Sequence, residues 1–203
     1  RAEVLVDGLS ALPWLAAQPL GPRGYWSDRD QPFELAGIGR ADMIAAPSLS
    51  NLEDGLSQLY LRLESAEGAP RYFGGLRFRD QTVLAREWEP FMGFRFVLPR
   101  FEVVQRDGVT VLACNMRSDD AIEDVDREIA KLDFLMRSEL REIPSWQRRV
   151  DLPDQSGWNE LAGEVIRRIG DGEMDKVVLA RRVSLAFPEP PDSIAILQQL
   201  KAR

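Results

Sequence analysis

The chain has 203 residues, 44% of them hydrophobic and 29% charged, enough for one large or two small domains with a sizeable core. A net charge of −7 argues against nucleic acid as the main partner, because phosphate binding needs a basic footprint and the pairs Arg148-Arg149, Arg167-Arg168 and Arg181-Arg182 are too dispersed to make one. With no histidine and a single cysteine, Cys114, the sequence excludes Ser-His-Asp and Cys-His nucleophile systems, HExxH zinc sites and an internal disulfide, so proton transfer falls to Lys, Asp, Glu, Tyr or that cysteine.

In chain order, Glu3 to Val6 reads as a strand and SALPWLAAQP as a short helix that Pro19 ends. RGYWSDRDQPFELAGIGRADMIAA reads as a hairpin, with SDRDQP as the polar turn. SLSNLEDGLSQLYLRLES carries leucines at 49, 52, 56, 59 and 63, which is helical spacing weakened by Gly55. RYFGGLRF follows as a strand whose paired glycines allow close approach. FRFVLPRFEVVQRDGVTVLACN reads as two strands folded at Arg106-Asp107-Gly108, with Pro99 at an edge or bulge.

SDDAIEDVDREIAKLDFLMRSELRE is the longest helix candidate, with Ile122, Val125, Ile129, Leu132, Met136 and Leu140 as its stripe and an Asp120–Glu123 capping box. IPSWQRRVDLPDQSG has the two prolines and the glycine of a connector, and WNELAGEVIRRIG returns to helix until Gly170 or Gly172. The last segment, DSIAILQQLKAR, is patterned as a helix capped by Asp192 or Ser193. Strands clustered in hairpins between helices predict an α+β fold with largely antiparallel sheets. No run approaches the ~20 apolar residues of a membrane span, and no basic-then-apolar leader opens the chain. A cytoplasmic protein is therefore expected, and a start at Arg1 with a stop inside a helical pattern reads as a piece of something longer.

DGEMDKVVLARRVSLAF predicts a strand that begins at Lys176. Its odd positions, Val177, Leu179, Arg181, Val183, Leu185 and Phe187, make a bulky core face. Its even positions, Lys176, Val178, Ala180, Arg182, Ser184 and Ala186, make a smaller, more polar face with room for a ligand. On physical grounds alone a lysine at a strand start is a solvated charge. To act as a base it needs burial or nearby cations, since at an ordinary pKa of ~10.4 only a few lysines in ten thousand are neutral at pH 7.

DKVVLARRV, preceded by WNELAGEVIRRIGDGEM, resembles the opening of the catalytic region of chorismate-using enzymes and is most similar to isochorismate synthases of the menaquinone type. WSDRDQPFELAGIG, RYFGGLRF and FVLPRFEVVQRDGVTVLACN resemble the amino-terminal part of the same enzymes, in the same order, so the likeness covers nearly the whole chain. It implies the amino-terminal part of an anthranilate synthase component I-like fold: residues 1–143 a scaffold, 144–155 a connector, and 156–203 the start of the chorismate-binding catalytic region.

The resemblance implies that Lys176 is the general base. It would activate water to attack ring carbon 2 of chorismate while the 4-hydroxyl leaves, assisted by a glutamic acid and Mg2+. The acid and the metal ligands are expected beyond residue 203, which leaves this piece inactive alone. Relatives that install nitrogen usually have glutamine or alanine at this position, because ammonia is already a nucleophile. Salicylate synthases share the lysine, so salicylate formation stays open beside anthranilate- or aminodeoxychorismate-type chemistry. LESAEGAPRYFGG faintly echoes a tryptophan-binding segment of anthranilate synthases, but a helix end, turn and strand describe it better. The acidic run Asp119, Asp120, Glu123, Asp124 and Asp126 suits a helix N-terminus better than a metal site. A reading of another class also stands: a non-catalytic regulatory or partner-binding α+β domain with Lys176 as a surface charge.

Overall fold

Antiparallel pairing organises Arg1–Glu139, the first of two compact units; the second is Leu140–Arg203. The structure, a computed structural model, describes residues 1–19, 21–29, 32–80, 86–134 and 142–202. The first unit runs β1 (Ala2–Leu5), α1 (Ala11–Ala17), β2 (Arg23–Ser27), β3 (Phe33–Ile38), β4 (Asp42–Ala46), α2 (Leu52–Glu64), β5 (Phe73–Leu76), β6 (Phe94–Leu98), β7 (Phe101–Arg106), β8 (Val109–Cys114) and α3 (Ile122–Ile129). Short 3₁₀ turns lie at Leu49–Asn51 and Arg86–Phe91. The strands form a five-stranded sheet ordered β1-β8-β7-β3-β2 and a three-stranded sheet ordered β4-β6-β5, all antiparallel. The fold is α+β, as the clustered strands predict. Of the turn expected between β2 and β3, residues 30 and 31 lie outside the described residues.

Three strands, not two, occupy the stretch from Phe94 to Cys114. Pro99 has no N–H to give a ladder, so the chain leaves β6 in the small sheet and enters β7 in the large one. The fold at Asp107-Gly108 is as expected: φ is +50° and +79°, the two left-handed residues of a tight hairpin turn. Arg106 and Val109 face each other across it.

Helix α1 packs on β3 and β7. Its Ala11, Leu12, Trp14 and Leu15 are buried, as are Ala36 and Ile38 of β3 and Phe101 and Val103 of β7. Each large side chain so covered contributes about 1.5–3 kcal/mol. Ser10 makes no side-chain cap; the Gln105 side chain reaches from β7 and accepts from the Ala11 N–H at 2.7 Å. Paired glycines hollow the large sheet, since Gly24 stands opposite Gly37. A Cβ on Gly37 would lie 2.6 Å from the Pro99 ring, and one on Gly24 would lie 3.4 Å from the Phe73 ring.

The corner after Pro99 is held by polar side chains. Arg100 is buried and donates to the Asn115 carbonyl at 2.8 Å and to Asp120 at 2.5 Å, with Glu128 at 2.9 Å. Asn115 donates to the Pro99 carbonyl at 2.9 Å and to the buried Glu102 at 2.6 Å, while Arg1 lies 3.1 Å from Glu102. Hydrogen bonding to Asp120 holds the Arg100 guanidinium above its ordinary pKa and holds Asp120 below its own. Burial pushes Glu102 up despite Arg1 and Asn115.

Helix α3 has eight residues and is not the longest helix. Backbone groups of Asp133 that a longer helix would use are taken by the buried Gln18, which accepts from the Asp133 N–H at 3.0 Å and donates to its carbonyl at 2.7 Å. Asp120 binds Arg100 in place of the expected capping box, and Ala121 is the N-cap residue. Met136 and Leu140 of the expected stripe lie outside the described residues.

The second unit contains β9 (Arg148–Leu152), α4 (Gln155–Gly170), β10 (Arg182–Ala186) and α5 (Ser193–Lys201). Strand β9 falls inside the segment expected to be only a connector; it pairs antiparallel with β10, a long-range match that local composition does not reveal. Asp154 caps α4 by accepting from Gly157 N–H at 2.9 Å, and Asp192 caps α5 by accepting from Ile194 N–H at 2.9 Å. No helix among the described residues is long and apolar enough to cross a membrane.

Gly55 is the buried residue of α2, and a Cβ there would lie 2.5 Å from the buried Phe94 ring. Overpacking outweighs the helix propensity gained: Gly55→Val is expected to destabilise the chain by about 2 kcal/mol in urea unfolding. Gly163 of α4 has open space around its Cβ position, so Gly163→Ala is expected to stabilise by about 0.5–1 kcal/mol in the same measurement.

Candidate functional site

The approach to Lys176 is set by the end of α4. Arg167 and Arg168 occupy its last turn, where cations favour the helix C-terminus, and both pair with Glu164 at 2.8 and 2.9 Å. Gly172 turns the chain with φ +74°, and Glu173 N–H closes the helix end on the Arg168 carbonyl at 3.0 Å.

From Met174 to Arg181 the chain forms no ladder, and β10 begins only at Arg182. Lys176 therefore precedes the paired strand instead of opening it. It is exposed, and its amine has no hydrogen bond or ion pair among the described residues. Arg181, a cation that could have raised the local potential near Lys176, lies 3.7 Å from Asp151. Asp151 is also gripped by Arg149 at 2.8 Å, and this pairing pulls the aspartate below its ordinary pKa.

The bulky face expected to be core is open: Val183 and Leu185 are 39% and 44% exposed, and Val178 on the other face is 81% exposed. All five residues of β10 are exposed, and among the described residues only β9 pairs with it. The alternation of side chains survives in β10, while the burial inferred from it does not.

A second constellation, absent from the sequence reading, lies within the first unit. Asp42 at the start of β4 is bound by Arg62 of α2, by the Tyr72 hydroxyl at 2.5 Å and by Arg117 at 3.0 Å. These groups, with Ser65 and Asn115, line a cavity of about 560 Å³. Burial alone would raise Asp42, but hydrogen bonds from Arg62 and Tyr72 outweigh it and the carboxyl sits below its ordinary value. Burial and the adjacent carboxylate push Tyr72 up to about 12. The phenol stays protonated and the aspartate charged, so the cluster is a clamp tying α2 and the loop before α3 to β4. Its signal in the sequence is spread over 75 residues, which defeats local pattern reading.

Other candidates carry less chemistry. Burial pushes the Cys114 thiol up, away from the reactive thiolate. In the acidic run, Asp120 serves Arg100, Asp119 serves Arg117 at 2.8 Å and Asp124 serves Arg127. Among the described residues no group of three or more His, Cys, Asp or Glu side chains could hold a metal ion.

The sequence model of the family described as chorismate binding enzyme matches residues 3–203. The chain is 28% identical over 190 residues to the chloroplastic isochorismate synthase of Catharanthus roseus, covering 87% of this chain and 32% of that protein. It is 27% identical over 197 residues to isochorismate synthase MenF of Escherichia coli, covering 95% and 41% respectively. Among solved structures it resembles MenF, the menaquinone-specific isochorismate synthase from Escherichia coli, with a TM-score of 0.71 at 24% identity, over 99% of this chain and 44% of that one. The chain thus spans less than half the length of these relatives.

Asp42→Asn removes the charge that Arg62 and Tyr72 address, and is expected to cost about 1–2 kcal/mol at pH 7 in urea unfolding. Because the native carboxyl lies below 3.8, its contribution is present above that value and lost as pH falls through the native pKa. The stability gap between the two proteins should therefore close on acidification below pH 3.8.

Proposed function

Because the chain belongs to the chorismate-binding enzyme family, we propose that the complete protein is a cytoplasmic isochorismate synthase serving menaquinone synthesis, with Lys176 as its general base. The observation that carries this reading is similarity to isochorismate synthases from a plant and a bacterium along nearly all of the chain. Sequence likeness to the motif around Lys176 supplies the residue.

In the proposed reaction the neutral Lys176 amine takes a proton from water as the water oxygen bonds to ring carbon 2 of chorismate. Both ring double bonds shift along the ring, the carbon 4–oxygen bond breaks, and the hydroxyl leaves with a proton from an acid. One water enters and one departs, so the product is an isomer. Lysine suits water as the attacking group, since water needs a base where ammonia does not. The family resemblance also brings a magnesium ion to the complete protein. The described residues offer no cluster to hold one, and no step here is assigned to it.

The exposure of Lys176 and its lack of a partner favour a second reading, a non-catalytic α+β domain in which this lysine is a solvated charge.

Lys176→Gln in the complete protein separates the two. Under the enzymatic reading kcat falls about 10²–10⁴-fold with the circular dichroism spectrum unchanged; unaltered turnover in a folded protein would refute it. Incubating the complete protein with chorismate, magnesium and ammonia should give isochorismate. Salicylate with pyruvate, or anthranilate, would move the assignment to another branch of the family. The 203-residue chain alone is expected to show no chorismate turnover.

A further inference from the structure

One face of the small sheet in the first unit is built as a receptor. Side chains alternate along β5, so Phe73, Gly75 and Arg77 share a face. Gly75 stands opposite Arg95 and Phe73 opposite Val97, which brings the β6 side chains to that same face. Above it lies a cavity of about 550 Å³, with Trp88 and Phe91 of the second 3₁₀ turn along its wall. Those two rings are 5.6 Å apart and more than half exposed.

The charge at this cavity is one-sided. Arg23, Arg77 and Arg95 line it, and none of its described lining residues is acidic. Arg23 spends one donor on the Gln18 carbonyl, and Arg95 makes a long 3.3 Å contact with the Pro90 carbonyl. The Arg95 Nε is buried without a hydrogen-bond partner. Arg77 makes no side-chain hydrogen bond among the described residues; the nearby Asp80 is engaged by Ser48 and the Leu49 N–H. A guanidinium presents a planar fork suited to a carboxylate, and its plane stacks on aromatic faces. Size, apolar walls and a few fixed polar groups are the usual make-up of a small-molecule site. At Gly75 an added Cβ would meet nothing within 4 Å, so the space beside Arg95 is open because that residue has no side chain.

We propose that this cavity binds a small organic anion, a carboxylate carried on an aromatic or similarly flat apolar body, with the acid group at Arg95 and Arg77 and the body against Phe73, Trp88 and Phe91. The site is independent of Lys176, and its test needs no turnover.

The probe is 1-naphthoate, titrated calorimetrically into the complete protein without chorismate, beside its uncharged counterpart 1-naphthalenemethanol. One naphthoate per chain is expected at this cavity, with the alcohol about tenfold weaker or worse. Arg95→Met should weaken naphthoate by about tenfold, because it keeps the apolar stem and removes the fork. Gly75→Leu should abolish binding at the cavity by filling it, while leaving the circular dichroism spectrum and melting temperature unchanged. If Arg95→Met does not fold, Gly75→Leu carries the test, since its backbone needs no glycine conformation. Absence of naphthoate binding, equal binding of the alcohol, or undiminished binding in both folded variants overturns the proposal. The last outcome would place the probe elsewhere, including in a chorismate site.

Discussion

A proline without a donor, followed by an arginine buried among acceptors, is the corner on which the first unit turns. Pro99 ends the small-sheet ladder, and Arg100 starts the large sheet with its charge already taken out of water. A buried guanidinium is costly unless its donors are met. Asn115 after β8 and Asp120 before α3 accept from it, and Glu128 of α3 sets a carboxylate 2.9 Å from its Nε as an ion pair. The same asparagine reaches back to Pro99 and Glu102, so one side chain closes both sides of the crossover. Sheet order, the seat of α3 and the contact of the Pro99 ring with Gly37 all follow from holding this corner.

The second unit rests on different support. Its helices are well capped and its paired strands are in register, yet β10 keeps its larger side chains in solvent. The local elements are specified by caps, turns and alternation, while the layer that would bury them is not among the described residues. This bears on Lys176. A lysine acts as a base only where its charged form is disfavoured by burial or by neighbouring cations, and Lys176 is exposed among the described residues. On the function proposed, the rest of the complete protein supplies that environment around a residue whose place in the chain is already set by α4 and Gly172.

Much of the fold was legible from the residues. The hairpin at Asp107-Gly108 required left-handed backbone, and the residue pair announced it. Helices α1, α2, α4 and α5 followed from spacing and caps, and clustered strands gave the α+β class. What escaped notice was decided by distant partners. Gln18 holds the backbone of Asp133, just past α3, from 115 residues away, Asp42 gathers Arg62, Tyr72 and Arg117, and β9 pairs with the distant β10. Gly55 illustrates the inversion: in the sequence it weakens a helix, and in the structure its missing side chain lets Phe94 approach. Lys176 was found by likeness to a motif, since neither its burial nor its contacts single it out.

The paired strands β9 and β10 form a ribbon of two, so each has an outer edge with no strand beside it among the described residues. Unpaired amides and carbonyls along such edges are templates for further strands, most of all where valine and leucine flank them. Prepared by itself, this stretch of polypeptide is disposed to self-associate as its concentration rises, and Arg148 and Arg182 along the ribbon are the charges that oppose such stacking, since Arg149 is paired with Asp151. Solubility of the isolated piece then depends on ionic strength, because salt screens that repulsion and uncovers the sticky edge.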